Sequence, residues 1–390
     1  MLIETHATAG TDRATIQNLL APLEGRSPDF LVFHCSSAFD LADLNTQLAP
    51  IAANALHGAT SCLGAMTNAG MAGTQGNGIG YFALWDADGS FGTAGAKIVG
   101  DAAIAASTAT RTALARADRL GEAPDLIWVS ASPGQEEAII CGIQDVVGAD
   151  IPIVGGSAAD NTVAGQWAIF GSDGIIGDGV QISVLFPSAP LAAEFQSGYA
   201  PSGQFAHATR ANGRRLYELD GRPAVEVYQD LTGLSFQLPT GPDPVSILSH
   251  SSFHPLGRKL GDVANIPYYM LMHAAFLHAD GSIEFFAEIT EGAQLHFMRG
   301  SPQSLVARAG RVAAQSRKQL DAAPAGALVI YCAGCMLSIT DRMDEVAAGI
   351  DQSLDGAPFL GVFTFGEQGY ALNQENSHGN LMISCVTFSA

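Results

Sequence analysis

With 390 residues, the chain has room for two or three ordinary domains and a core that needs neither disulfides nor metal to hold. Hydrophobic residues make up 47% and charged ones 14%, well below the roughly 25% charged in an average soluble domain, which predicts much buried sheet and tight turns. The formal charge of −20 disfavours nucleic acid and anionic membrane as partners, because both need a basic patch.

Residues 1–13 show no basic start followed by an apolar stretch, so no signal peptide is expected. The six cysteines do not form a disulfide framework. The longest apolar run, residues 327–337, is interrupted by Gly334 and falls short of the roughly 20 residues of a membrane-spanning helix. Together these features lead to the expectation of a cytoplasmic protein with reduced thiols and no membrane insertion.

In chain order, a helix is expected over residues 12–23, then a short apolar strand, Leu31-Val32-Phe33-His34-Cys35. An amphipathic helix follows over 40–55, with Leu41, Leu44, Leu48 and Ile51 on one face. The strand His57-Gly58-Ala59-Thr60-Ser61 comes next, and a return strand runs over 79–85. The same succession recurs as a helix at 94–119, a strand at 126–130, a helix at 135–147, a strand ending in Gly155-Gly156-Ser157, and a return at 180–186. It recurs again as a helix at 303–320, a strand at 328–332, a helix at 341–354, the strand Leu360-Gly361-Val362-Phe363-Thr364, and a return at 381–388. Such repetition outweighs any single motif.

Residues 192–300 do not fit this unit and read as strands and hairpins. Turns are expected at 220–222 and 278–282, a short helix at 223–231, and loops at Leu238-Pro239 and Asn265-Ile266-Pro267. The weak basic cluster Arg210, Arg214, Arg215 and Arg222 reads as a solvated hairpin. The expected fold class is therefore mixed α/β. It comprises repeated strand–helix–strand–strand units with mixed sheets covered by helices, plus an antiparallel-rich insert between the second and third units. The nominal domain boundary separates 1–205 from 206–390, where Gly, Ser and Pro thicken.

Several of these segments resemble the FIST family, a bacterial signal-transduction sensor described as N-terminal and C-terminal halves. In the first half the best match is Ile151-Pro152-Ile153-Val154-Gly155-Gly156-Ser157-Ala158-Ala159-Asp160. In the second the matches are Cys332-Ala333-Gly334, Gly361-Val362-Phe363-Thr364-Phe365-Gly366-Glu367 and His378-Gly379-Asn380. Two departures stand out. Gly58-Ala59-Thr60-Ser61-Cys62-Leu63-Gly64 lacks the Glu of the family's early segment, and Cys335 stands where the family often has Arg. The resemblance implies a module that binds a small ligand, such as an amino acid, and passes its state to a histidine kinase, chemoreceptor or cyclic-dinucleotide enzyme. Some members of the family bind haem and sense nitric oxide.

Strand C-terminal ends are where open α/β sheets present ligands. Three equivalent strand ends carry Cys35, Ser130 and Cys332. The three turns carry Thr60 and Ser61; Gly155, Gly156, Ser157 and Asp160; and Thr364, Gly366 and Glu367. Turn N–H groups suit a carboxylate, and Asp160 or Glu367 suits an ammonium group, which together make an amino-acid-like site. The bland alternative is that the glycines permit the turns and the hydroxyls satisfy nearby backbone. Cys332-Ala333-Gly334-Cys335 is a Cys-x-x-Cys without a second ligand pair, read as buried thiols or, alternatively, as a redox pair or half of a metal site. His57 and His378 are the candidate haem ligands, and His378 also joins the ligand-binding set. Cys332 with His378 and Glu367 is the starting point for an enzyme reading. No phosphate loop or nucleophile elbow is present.

Overall fold

The computed structural model describes residues 1–51, 53–263, 266–371 and 374–390. The first unit runs β1 (Leu2–Ala9), α1 (Arg13–Leu20), β2 (Phe30–Cys35), α2 (Leu41–Leu48), β3 (Ala55–Thr60), the hairpin β4 (Ala65–Thr67) and β5 (Gly70–Ala72), and β6 (Gly78–Trp85). The second runs β7 (Ser90–Lys97), α3 (Ala102–Arg116), β8 (Leu126–Ala131), α4 (Glu136–Val147), β9 (Ile153–Ser157), the hairpin β10 (Ile169–Gly171) and β11 (Gly174–Ile176), and β12 (Gly179–Phe186). The third unit opens with β13 (Leu191–Ser197) and is then interrupted by the insert.

The insert holds β14 (Ala200–Asn212), β15 (Arg215–Leu219), β16 (Arg222–Pro223), α5 (Ala224–Thr232), β17 (Val245–Ser246) and α6 (Leu248–Ser251). It continues with β18 (Leu256–Val263), β19 (Ile266–Met272), β20 (Ala274–Leu277), β21 (Ile283–Phe285) and β22 (Gln294–Arg299). These strands form one wholly antiparallel sheet. The third unit resumes with α7 (Pro302–Lys318), β23 (Pro324–Cys332), α8 (Ala333–Ser338), α9 (Met343–Ser353) and β24 (Phe359–Thr364). The hairpin β25 (Glu367–Tyr370) and β26 (Asn376–Gly379) and the return β27 (Met382–Ser389) complete it.

The mixed α/β class and an antiparallel insert are as expected, but the insert interrupts the third unit after β13 rather than standing between the second and third, and the unit is larger than the sequence suggested. Each copy has an opening strand, β1, β7 or β13, paired to its return strand, β6, β12 or β27. The helix expected over 94–119 begins only at Ala102, because Ser90–Lys97 is strand β7. In the insert, Ile266 and Pro267 lie in β19 rather than in a loop, while Asn265 lies outside the described residues.

Sheet order shows how the copies join. The three six-stranded sheets run β1-β6-β2-β3-β10-β11, β7-β12-β8-β9-β25-β26 and β13-β27-β23-β24-β4-β5. In each, only the second and third core strands pair in parallel. Each sheet therefore ends in a hairpin contributed by another unit. The first sheet takes the hairpin of the second unit, the second that of the third, and the third that of the first. The exchange closes into a ring.

Period-two alternation then divides the buried strands into two faces. The inward face puts Phe30, Val32, Leu126, Trp128, Leu328 and Ile330 into one shared core. The outward faces pack on α1 and α2, on α3 and α4, and on α7 and α9. Small residues bring the outer helices close. A Cβ on Gly142 of α4 would lie 2.1 Å from the Ala103 carbonyl oxygen of α3, so only glycine fits that crossing.

Alternation also corrects the expected trio of strand ends. Ser130, paired with Gly156, continues the inward series, whereas Cys332, paired with Thr364 at the end of β23, packs in the cluster beneath α7 and α9. Cys35 pairs with Thr60 and lies in the outward cluster with Leu31 and Phe33. The inward residue of the first unit is His34.

Candidate functional site

The turns after β3, β9 and β24 meet at one end of the ring. Backbone bonds link them in a cycle: Ala159 N to Thr60 O at 3.0 Å, Phe365 N to Ser157 O at 3.1 Å, and Cys62 N to Phe363 O at 3.0 Å. Most turn residues singled out in the sequence serve this junction. Thr60 Oγ1 accepts from Ala168 N at 3.0 Å. Ser61 Oγ donates to the Gly64 carbonyl at 2.5 Å and accepts from Phe363 N at 2.8 Å. A Cβ on Gly155 would lie 1.9 Å from the Val129 oxygen, and one on Gly156 would meet Thr364 at 2.4 Å.

Asp160 uses both carboxylate oxygens on its own loop. They accept from Thr162 N at 2.8 Å, Ala164 N at 2.9 Å and Gln166 N at 2.7 Å. The cradle holds Val163 at φ +57°, a left-handed conformation that a β-branched residue adopts only when its surroundings impose it. Asp160→Ala is expected to lower stability by about 1–3 kcal/mol, and Asp160→Asn, which keeps one acceptor oxygen, by less. Urea unfolding of both variants checks the order.

A cavity of about 440 Å³ opens beside this junction, within the range of roughly 300–1,000 Å³ usual for small-molecule sites. Its floor is Cys332 and Thr364 at the ends of β23 and β24. Its roof is the insert, through Leu248, Phe253, His273 and Phe286. Leu337 of α8 and Val163 form the rim, and Asn380 reaches in from the turn before β27. No Asp, Glu, Lys or Arg is among the described lining residues.

The polar groups at the cavity are neutral. Burial pushes the Cys332 thiol well up, with the neighbouring Cys335 adding to the effect, so it is a protonated thiol rather than an activated nucleophile. Burial likewise raises the Glu367 carboxyl well above the usual range. Its two oxygens accept from Thr364 Oγ1 and Met382 N, each at 3.0 Å. Burial lowers His273 to about 4, and its Nε2 lies 3.1 Å from Ser251 Oγ. Neither Asp160 nor Glu367 thus offers a free carboxylate to an ammonium group.

The remaining predicted residues form a second cluster beside the cavity. Ser157 Oγ donates to Glu136 Oε1 at 2.6 Å. Gln368 Nε2 lies 3.4 Å from both Ser157 Oγ and His378 Nδ1. His378 Nε2 lies 3.1 Å from the Phe286 carbonyl, and a Cβ on Gly366 would strike its ring at 2.5 Å. Arg214, at the tip of the β14–β15 hairpin, enters from the insert. It reaches Glu136 at 2.6 Å and Glu137 at 2.8 Å. This corrects the reading of the arginines as a solvated hairpin: Arg214 is only 18% exposed and Glu136 2%. Arg210, Arg215 and Arg222 also pair with carboxylates, in more exposed positions. Burial opposes ionisation of Glu136. His378, the Arg214 guanidinium and the Ser157 hydroxyl outweigh it and hold the carboxyl at about 2.

The histidines named for haem do not fit that role. His57 lies wholly buried in the central core, its Nδ1 2.8 Å from Ser183 Oγ and its Nε2 2.9 Å from Ser130 Oγ. His378 is held between Gln368 and Phe286, outside the cavity lining. Among the described residues no group of three or more His, Cys, Asp or Glu side chains is placed to hold a metal ion, and no helix is long and apolar enough to cross a membrane.

Sequence reasoning missed the roof of the cavity, His273 and Phe286, because it belongs to the insert. It also left Asn380 unchosen, although the His378-Gly379-Asn380 motif contains it.

The ring, the roofed apolar cavity and its neutral polar groups define a mixed α/β module suited to binding a small molecule. The FIST N domain model matches residues 29–222 and the FIST C domain model residues 224–370, so the chain belongs to the FIST family. FIST domains are sensory domains that bind small ligands in signal-transduction proteins. A similar protein is the uncharacterized protein MJ1623 of Methanocaldococcus jannaschii, 28% identical over 160 residues. The match covers 40% of this chain and 29% of that protein, so the chain spans less than a third of its relative's length. Among solved structures, a cyanuric acid hydrolase from A. caulinodans aligns over 100% of this chain and 99% of its own, with 10% identity and a TM-score of 0.37. That likeness is too low to bear on fold or activity.

Proposed function

We propose that this chain is a sensory protein that binds a small, uncharged and largely apolar molecule in the cavity between the third unit and the insert. It then passes its state to a signalling partner such as a histidine kinase, chemoreceptor or cyclic-dinucleotide enzyme. The observation that carries this reading is a roofed cavity of about 440 Å³ with no charged side chain in its described lining. A zwitterionic amino acid would give up the hydration of two charges there without gaining a counter-charge. A neutral ligand loses little on entry and gains the burial of its apolar surface. Ligand in this position touches the ring and the insert together, so occupancy favours the docked insert over the undocked one. That difference is the signal a partner reads.

A thermal-shift screen of small metabolites tests the proposal. Uncharged, mostly apolar compounds are expected to raise the melting temperature, and Ser338→Phe, which fills the cavity from its rim, is expected to abolish the shift. Stabilisation by amino acids alone, or a shift that survives Ser338→Phe, would place the ligand elsewhere.

A further inference from the structure

Among the described residues, one polar group at the cavity is left without a protein partner. Asn380 is 1% exposed, and its Nδ2 has no hydrogen-bond acceptor among the described residues. The orientation of its amide is settled by its other end. Oδ1 accepts from His273 N at 3.1 Å, so a flipped amide would set two donors against each other. The Asn380 backbone N–H donates to the Leu271 carbonyl at 2.9 Å, which fixes the residue against the insert. The amide NH₂ is thus a buried, positioned donor left open.

The described hydroxyls that line the cavity turn their protons elsewhere, and none of them lies within hydrogen-bond range of Nδ2. Thr364 Oγ1 donates to Glu367, Ser252 Oγ to the Leu248 carbonyl at 2.7 Å, and Ser338 Oγ to the Gly334 carbonyl at 2.7 Å. Ser249 Oγ lies 3.2 Å from His250 Nδ1. A buried donor without an acceptor is costly, and such exceptions in a folded protein call for a partner from outside the chain. The acceptor it needs must be neutral, because the described lining holds no cation to offset an anion.

From this geometry we infer that the ligand carries an uncharged carbonyl-type oxygen, as in a ketone, amide, lactam or lactone, on a mostly apolar body. Asn380 Nδ2 is the group that recognises it. The inference rests on the cavity being the ligand site. Because Oδ1 holds the backbone of the insert at the same time, one side chain joins ligand recognition to insert docking. That role explains an asparagine where an apolar residue would otherwise pack.

Three probes of matched shape decide the matter: 2-acetonaphthone, 2-ethylnaphthalene and 2-naphthoate, titrated into the full chain with ligand-observed NMR. The ketone is expected to bind about tenfold more tightly than the hydrocarbon, and the carboxylate more weakly than either. Asn380→Ala and Asn380→Leu both remove the donor, the second while filling the space with an apolar side chain. Each is expected to erase the preference for the ketone, with circular dichroism confirming that the variant is folded. The comparison among probes on the unaltered chain needs no variant. Equal binding of ketone and hydrocarbon, both blocked by Ser338→Phe, would overturn the acceptor assignment and leave the cavity reading standing. A preference for the naphthoate would overturn the assignment of a neutral ligand. If no probe binds, or if Ser338→Phe leaves binding unchanged, the cavity reading falls and this inference with it.

Discussion

Arg214→Met is expected to destabilise the folded chain by about 3–5 kcal/mol at pH 7, the usual cost of removing one partner from a buried ion pair. Glu136 is 2% exposed and loses a guanidinium at 2.6 Å, while Glu137 loses the same group at 2.8 Å. Glu136→Gln in the Arg214→Met background removes the stranded charge, so the double variant should be more stable than Arg214→Met alone. Arg214→Lys should recover only part of the loss, because one ammonium serves two carboxylates less well than a planar fork. Urea unfolding of the four proteins gives the ordering, and equal stabilities would show that the pair carries no weight.

The same pair sets an acid limit. The Glu136 carboxyl is depressed to about 2 from its ordinary 4.5. The folded state therefore binds fewer protons than the unfolded chain between these values. Its contribution is complete above about pH 4.5 and is lost as the pH falls through about 2. Without Arg214 the carboxyl rises, and protonation relieves the buried charge earlier. The gap between Arg214→Met and the unaltered chain should thus narrow as the pH falls through the carboxylate range. The effect also reaches the cavity. The hairpin carrying Arg214 belongs to the insert that forms the roof, so releasing it from α4 should weaken ligand binding without touching a lining residue.

What could be read in the sequence, and what could not, follows from where the information lies. The β2, β8 and β23 strands are continuous apolar runs, and Leu44, Leu48, Met343, Val346 and Ile350 mark helix faces that are in fact buried. Local pattern sufficed for those. The opening strand Ser-Phe-Gly-Thr-Ala-Gly-Ala-Lys is rich in residues with weak strand preference, and its alanines read as the start of a helix. It is a strand because β12 lies alongside it over eight residue pairs. The exchanged hairpins are just as hidden, since Ile169 pairs with Ala59 and Glu367 with Gly156, far away in the chain. The site divides in the same way. Cys332 and Thr364 could be found because they end strands, whereas His273 and Phe286 take their roles only when the insert folds over the third unit, and Arg214 only when the insert reaches α4 of the second.

The exchange of hairpins leads to the largest expected effect: the full chain should unfold in one cooperative transition, and residues 1–189 alone should fail to reach a stable fold. Removing the third unit strips β25 and β26 from the edge of the second sheet and leaves β4 and β5 without the sheet they complete. The polar links at each exchange are specific. Asn376 of the third unit accepts from Ile153 N at 2.7 Å and donates to the Ala149 and Ile151 carbonyls at 3.0 and 2.9 Å, three backbone groups of the second unit. Asn68 of the first unit accepts from Phe359 N and donates to the Ala357 carbonyl, both at 3.1 Å, tying it to the third. Phe170 of the second unit packs in the outer core of the first, where Gly58 leaves no room for a Cβ, which would meet the ring at 2.4 Å. The central core draws on all three units, so no cut through the ring leaves its apolar side chains covered. Calorimetry of the full chain should therefore give equal calorimetric and van't Hoff enthalpies. Two separated transitions, or a well-dispersed NMR spectrum from residues 1–189, would mean instead that 1–205 and 206–390 are independent domains. In a ring closed by exchange, a compound that binds under the roof is expected to stabilise all three units together, seen as one transition shifted whole rather than split.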